Sequence, residues 1–499
     1  MAAAPKSVII LGGGTAGWMT ANLLQRRWAD QGTQISLIES KEIGIIGVGE
    51  GSTPQLKAFF DEIGVAEAEW MPRCNATYKA GIEFTGWSDR PGFERYFHPF
   101  PTEVDDFTQG QFFYATLARR SGRDVPAHPD PFFLPTRIAR EALAPIAPAN
   151  FPFFVSYGYH FDAHLIGEFL RELGTKRGIA HVEARIASVE LDDGGNVAAL
   201  LADDGRRFEA DFFVDASGFR AAIIEGALGE PHRPFAENLF NDRAVVAPTP
   251  HGPGPIHPCT RSTAKSAGWI WHIPLINRVG NGYVYSSRYI DDDAAADELR
   301  THLGLPEDAE VRHLKMKCGR IERSWVKNCL AVGLAQGFLE PLEATALHIV
   351  LATVKGFLDA WDKDDREGFN ETIARRYEGI RDYLVCHYRT ALRSDTEYWR
   401  DATRMDALSD SLKGVITAWF TRADLREEVL HQGIAGYYGP ASWHCMLAGY
   451  GNFPDDAKLK APGPDIAPID MAEVERFVSG CAMNFPTHAE ALGRLAEAA

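Results

Sequence analysis

Residues 7–11 form an apolar run that enters Gly12-Gly13-Gly14-Thr15-Ala16-Gly17; residues 18–27 then carry helical periodicity, and 35–38 are apolar again. This is the pattern of a strand, a helix and a second strand. After a second glycine-rich loop over 47–53, Thr53 and Pro54 open a helix that places Leu56, Phe59, Phe60 and Ile63 on one face. From about 90 to 154 the chain is crowded with Pro, Phe and His and has weak periodicity, which predicts long ordered loops with short helices. Residues 164–177 read as a helix, and 182–191, 197–202 and 208–214 as strands, the last ending in Asp215-Ala216-Ser217-Gly218. Alternating segments at 269–274 and 282–289 predict a second, more antiparallel sheet. A buried strand at 329–332 leads through Gly333 to a long helix over about 342–361, and the rest of the chain is mostly helical.

The glycines of the first loop have a chemical reading. They allow a tight turn, a close approach to a pyrophosphate and close packing of helix on strand, while the helix N-terminus offers free N–H groups to the anion. Glu39 closes the second strand about twenty residues beyond the last glycine, where a ribose hydroxyl would need an acceptor. That much fits NAD or FAD. The returns of the sheet at Asp215–Gly218 and at Gly333-Leu334, and the absence of a second G-x-G-x-x-G, favour FAD. The fold class expected is therefore α/β: an FAD-binding Rossmann-like domain of the aromatic-hydroxylase type, with a second sheet and a C-terminal helical substrate region. The expected division is residues 1–354 for the FAD-binding domain, with substrate-facing sheet and loops interleaved at about 58–150 and 223–310. Residues 355–499 form a helical substrate or lid region packed on it.

Composition narrows the partners. The chain of 499 residues is 45% hydrophobic and 24% charged, as a folded globular protein should be. A formal net charge of −17 repels nucleic acid and anionic lipid alike. With no signal-like N-terminus and no apolar run long enough to cross a bilayer, a soluble, cytoplasmic protein is expected. The seven cysteines are scattered without a C-x-x-C pair, so neither disulfides nor a metal site is expected.

The segment Gly268-Trp269-Ile270-Trp271-His272-Ile273-Pro274 resembles the W-x-W-x-I-P signature of flavin-dependent tryptophan halogenases and their relatives. The resemblance extends to Gly12–Trp18, Gly47-Val48-Gly49-Glu50, Asp215–Arg220, Gly333–Thr345 and His387-Tyr388-Arg389 with Tyr398-Trp399. It implies a two-component enzyme in which a separate NAD(P)H-dependent flavin reductase supplies reduced FAD, and oxygen and chloride or bromide yield hypohalous acid. The halogen is then relayed to an aromatic carbon of an indole-type substrate: tryptophan, free indole or a larger indole compound. A homodimer is compatible with this picture.

By the same resemblance Lys79 is the halogenating lysine and Glu343 its partner carboxylate. Taken as residues alone, Lys79 would be a solvated lysine at a strand edge and Glu343 a first-turn helix acid favouring the macrodipole. The backbone N–H groups of Thr345 and Ala346 hold the halide, as the start of a helix can. Trp269 and Trp271 shield the flavin. Val48, Gly49, Ile186, Gly333, Leu334 and Leu347 join the loop 12–17 and Glu39 around the cofactor. His98 and Phe100 stack the indole, and Trp443 lines the substrate site. The chain departs from tryptophan-specific relatives in its lid, Tyr437-Tyr438-Gly439-Pro440-Ala441-Ser442-Trp443, which has no clear counterpart of the glutamate that grips the amino-acid end. Flavin-dependent aromatic hydroxylation is the competing activity, and a flavin carrier without turnover a third reading. Gly333-Leu334, where hydroxylases carry Gly-Asp, and the tryptophan signature favour halogenation.

Overall fold

The computed structural model describes residues 3–40, 49–463, 467 and 469–498. Strand Ser7–Leu11 lies inside a six-stranded sheet, parallel to Phe212–Asp215 on one side and Gln34–Glu39 on the other. Cys329–Ala331 and Ala180–Glu183 extend it in parallel, and Trp325–Val326 finishes one edge antiparallel. Parallel strands need long crossovers and both faces covered. Helix Thr15–Trp28 supplies the first crossover, and it packs beside Ala163–Lys176 through the Asn22 amide, which donates to the Leu170 carbonyl at 3.1 Å.

The second sheet has seven strands in the order Arg312–Lys315, Arg243–Val246, Val279–Tyr285, Gly268–Pro274, Cys259–Lys265, Gly81–Thr85, Arg95–Pro99. It is antiparallel except where Cys259–Lys265 runs parallel to Gly81–Thr85. A third, small sheet pairs Gly158–Asp162 with Gly49–Gly51 on one side and Thr77–Lys79 on the other. That pairing sets Gly49–Gly51 one strand away from Lys79.

Several expected elements shift. The run expected at 182–191 is two strands, Ala180–Glu183 and Ile186–Leu191, and 208–214 splits into Arg207–Phe208 and Phe212–Asp215. The stretch 90–154 is more regular than expected, holding strand Arg95–Pro99, the 15-residue helix Asp106–Arg120 and helix Leu134–Arg140. Asp106–Arg120 buries Thr108, Thr116 and Arg120 beside Phe112, so its inner face carries no clean apolar period. The helix expected from 342 begins at Ala346 instead, because Pro341–Glu343 is a 3₁₀ turn and Ala344 takes a left-handed conformation at φ 55°.

One buried apolar cluster runs from Val8 of the first strand through Trp87, Trp269 and Trp399 to Trp443 and Ala491, so the C-terminal helices and the sheets share a core. Among the described residues no helix is long and apolar enough to cross a membrane.

Candidate active site

The first loop sorts its glycines by what surrounds them. A Cβ on Gly12, whose φ is +119°, would stand 2.2 Å from the Ala216 carbonyl oxygen, and one on Gly17 2.0 Å from the Gly12 carbonyl oxygen. These two close the strand against the helix. A Cβ on Gly14 would meet nothing within 4 Å, and Gly14 caps helix Thr15–Trp28 without a side chain, so the loop is open at Gly14 where the helix's first N–H groups lack a capping partner. A pyrophosphate fits there. Gly333, at φ +61°, approaches Ala16 so closely that its Cβ would lie 2.8 Å from that of Ala16, which brings Gly333 and Leu334 onto the same loop. Asp215 plays a different part: its buried carboxylate accepts from the backbone N–H of Ser217, Ile223 and Ile224 and shapes the turn. Ile186 is buried, its carbonyl accepting from Arg220 at 3.1 Å. The Glu39 carboxylate reaches over Gly13 and pairs with His181 at 2.6 Å, so it is held at the end of its strand. Val48 lies outside the described residues; Gly49 begins the short strand Gly49–Gly51.

Trp269 and Trp271 alternate with Ile270 along Gly268–Pro274 and so share a face, their ring centroids 6.3 Å apart. The indole N–H of Trp269 donates to Oε2 of Glu340 at 3.2 Å. The same oxygen accepts from Asn241 at 2.8 Å and Tyr388 at 2.6 Å. Burial pushes the Glu340 carboxyl pKa up. Sequence reasoning gave Glu340 no role, though it stands three residues before Glu343 in the same motif. The signal was its company: an acid preceding Pro341 and destined for a tryptophan-lined interior.

Lys79 ends strand Thr77–Lys79 and is fully buried, the reverse of the solvated lysine its residue type suggests. Its Nζ has no hydrogen-bond partner among the described residues and lies 5.3 Å from the ring centre of Phe100. Burial lowers its pKa to about 8, with Glu343 and Cys259 pulling the other way. Glu343 is buried too, and it sits in the 3₁₀ turn before the helix, not in the helix's first turn. Its two oxygens lie 3.1 Å from Nδ1 of His98, and Oε1 lies 3.1 Å from Nε2 of His387. Burial by itself would raise the Glu343 pKa, but His98 and His387 hold it at about 2, so it is a carboxylate. The carboxylate bonds histidines, not Lys79.

Tautomers follow from these contacts. A carboxylate only accepts, so His98 carries a proton on Nδ1 and His387 one on Nε2. Burial pushes the pKa of His387 down and that of Tyr450 well up. The Tyr450 hydroxyl therefore donates to Nδ1 of His387, at 2.6 Å, and fixes the ring. Tyr383 lies flat on Tyr438, centroids 3.5 Å apart, with Trp443 at 4.8 Å edge-on and His98 at 5.8 Å. His98, Trp443 and Glu343 thus meet in one aromatic cluster, with Phe100 on the Lys79 side. Thr345 is buried and Ala346 exposed at the start of helix Ala346–Lys363, where their N–H groups have no helical partner; Leu347 is buried one residue on. Tyr383 and His387 come from helix Arg366–Thr390 and Tyr450 from the end of helix Pro440–Gly449; His387 stands in a segment of the resemblance without a role assigned to it, and no local pattern marks the two tyrosines.

The arrangement is a nucleotide loop on a parallel sheet, a tryptophan face, and a buried amine and a buried carboxylate beyond it. Residues 7–462 match the family model described as tryptophan halogenase. The chain is 37% identical to tryptophan 6-halogenase SttH of Streptomyces toxytricini, over 95% of this chain and 93% of that one. It is 33% identical to tryptophan 7-halogenase RebH of Lentzea aerocolonigenes, over 93% and 92%. Among solved structures, the flavin-dependent halogenase Xcc4156 of Xanthomonas campestris superposes with a TM-score of 0.84 at 35% identity, covering 98% of both chains. Sheet, site and relatives together define a flavin-dependent halogenase. The chain belongs to the tryptophan halogenase family.

Proposed function

We propose that the enzyme takes reduced FAD from a separate NAD(P)H-dependent flavin reductase and halogenates an indole-type ring through Lys79, using oxygen and chloride or bromide. The observation that carries this reading is the Lys79 amine, buried without a hydrogen-bond partner beside Phe100. Bound FAD would supply hypohalous acid, and the chain's residues do the rest. The free N–H groups of Thr15, Ala16 and Gly17 suit the pyrophosphate, and those of Thr345 and Ala346 suit a halide. Trp269, held by Glu340, walls the flavin side from the ring to be halogenated. Lys79 presents the halogen, either as a hydrogen-bonded acid or as a haloamine. As the ring carbon attacks the halogen, the carboxylate of Glu343 faces the positive charge that forms and takes the ring proton. His98, Phe100 and Trp443 hold the ring. In this division residues 1–354 bind the flavin and face the substrate through the interleaved stretches at about 58–150 and 223–310, and the helical region 355–499 completes the substrate site.

The relatives act on tryptophan at its 6 and 7 positions by their names. Here Tyr438 lies on Tyr383, and the lid sequence has no clear counterpart of the glutamate that grips an amino-acid end. Indole itself, or a larger indole compound, therefore fits better than free tryptophan. The test is a reaction with FAD, flavin reductase, NADH and chloride or bromide, offered tryptophan or indole and read by mass spectrometry. A halogenated indole supports the reading, and a ring gaining oxygen instead would make the enzyme a hydroxylase.

A further inference from the structure

Behind Lys79 a chain of hydrogen bonds has only one possible direction. It begins at the backbone carbonyl of Pro274, the last residue of the tryptophan-bearing strand. That oxygen can only accept, so the Thr77 hydroxyl donates to it, at 2.7 Å. Thr77 has then spent its one proton. Its 3.0 Å contact with Nδ1 of His160 must carry the imidazole's proton, Nδ1–H to Oγ1. His160 is fully buried, and burial together with Lys79, His488 and His272 pushes its pKa well below the usual histidine value, so the ring is neutral and Nε2 is bare. The 3.0 Å contact between Nε2 and Thr260 Oγ1 is therefore a donation from the Thr260 hydroxyl. Thr260 has no proton left to give, only a lone pair to offer.

That lone pair has a neighbour. A Cβ on Gly51 would lie 3.2 Å from Nζ of Lys79, 3.4 Å from Thr260 Oγ1 and 3.6 Å from the His160 ring, so all three flank the gap left by the missing side chain of Gly51. We propose that Thr77, His160 and Thr260 are positioning residues for Lys79: they fix the Thr260 hydroxyl as an acceptor that orients the lysine amine and steadies its charged form. An ammonium there needs an acceptor, because Nζ is buried with no hydrogen-bond partner, and Thr260 Oγ1 borders the same gap. Glu343 and Cys259 act on Lys79 from the other elements packed around it. The device gives the trailing proline of the W-x-W-x-I-P motif a task, since the carbonyl of Pro274 sets the direction of the whole chain. The inference rests on the role of Lys79 proposed above.

The test separates the two. Lysine labelled with ¹³C at Cε is introduced into the full-length enzyme, and the Lys79 resonance, assigned by its loss in Lys79→Arg, is titrated by NMR without any turnover. Losing an acceptor from a charged donor lowers the donor's pKa. Thr260→Val is expected to titrate lower than the unsubstituted enzyme by roughly half a pH unit or more, and Thr260→Ser, which keeps the hydroxyl, to stay close to it. Thr77→Val, at the far end, frees the His160 proton to move to Nε2 and turns Thr260 into a donor, so it should lower the titration too. It serves as the deciding variant if circular dichroism shows Thr260→Val to be unfolded. Unchanged titration in whichever of these variants folds overturns the inference. In the same variants, halogenated product per FADH2 oxidised should fall by about tenfold and its pH optimum should move. A shifted titration with no change in product would show that Thr260 steadies the charge but overturn its part in orienting Lys79. Failure of the enzyme to halogenate at all would bear only on the function proposed for Lys79.

Discussion

The carboxylate of Glu343 lies 3.1 Å from Nε2 of His387. Tyr450 donates to the other nitrogen of that ring at 2.6 Å, so a phenol that never touches the carboxylate anchors the ring whose Nε2–H does. Tyr450→Phe removes the donor and leaves Nδ1 a buried acceptor without a partner, so the ring is held through the carboxylate alone. The expected result is a fall in kcat of roughly tenfold with KM for indole little changed, and Glu343→Gln should cost roughly a hundredfold. An unaltered kcat in Tyr450→Phe would show that the ring needs no anchor at Nδ1.

Lys79 is expected to cost stability. Its folded pKa, lowered by burial to about 8, is below that of an unfolded lysine, so the unfolded chain binds the extra proton and stability rises with pH from about 8 to the ordinary lysine value. At pH 7, below that pKa, most of the buried amine is charged. Lys79→Met, similar in length and uncharged, should therefore be more stable by about 2 kcal/mol at pH 7, with the gain shrinking as the pH passes 8. Thermal unfolding at pH 7 and pH 9.5 measures both. A destabilised Lys79→Met at pH 7 would mean that the amine has a strong partner.

The glycine loop separates folding from binding. Gly12→Ala puts a Cβ at 2.2 Å from a backbone oxygen at a positive φ and should leave little folded protein. Gly14→Ala meets nothing within 4 Å and should fold normally, yet the new methyl occupies the open side of the loop. FAD binding, followed by quenching of flavin fluorescence, should weaken by about tenfold or more in Gly14→Ala, with the melting temperature of the free protein unchanged. Equal FAD affinity would move the pyrophosphate elsewhere.

The parts of the fold that were legible in the sequence are those held by local rules. The opening strand, helix and strand show because a buried parallel strand and an amphipathic helix have distinct periods, and the tryptophan strand shows because alternate residues share a face. Helix Asp106–Arg120 was missed because its inner face is built partly from threonines and an arginine. At the site, Lys79 and Glu343 were found by resemblance alone. Nothing about Thr77-Tyr78-Lys79 reports that a distant strand will cover the amine. Likewise His98 and Glu343 are separated by 245 positions, and His160 and Thr260 by 100, so their contacts belong to tertiary structure that no local pattern encodes.

The central claim is that halogen reaches the ring through Lys79. The direct measurement compares the full enzyme with Lys79→Ala under identical supply of FADH2, oxygen and bromide, quantifying both flavin oxidised and brominated indole by mass spectrometry. Flavin oxidation should continue in Lys79→Ala while brominated indole falls at least a hundredfold, roughly the share a positioned catalytic group contributes. Brominated indole at the level of the unsubstituted enzyme would contradict it.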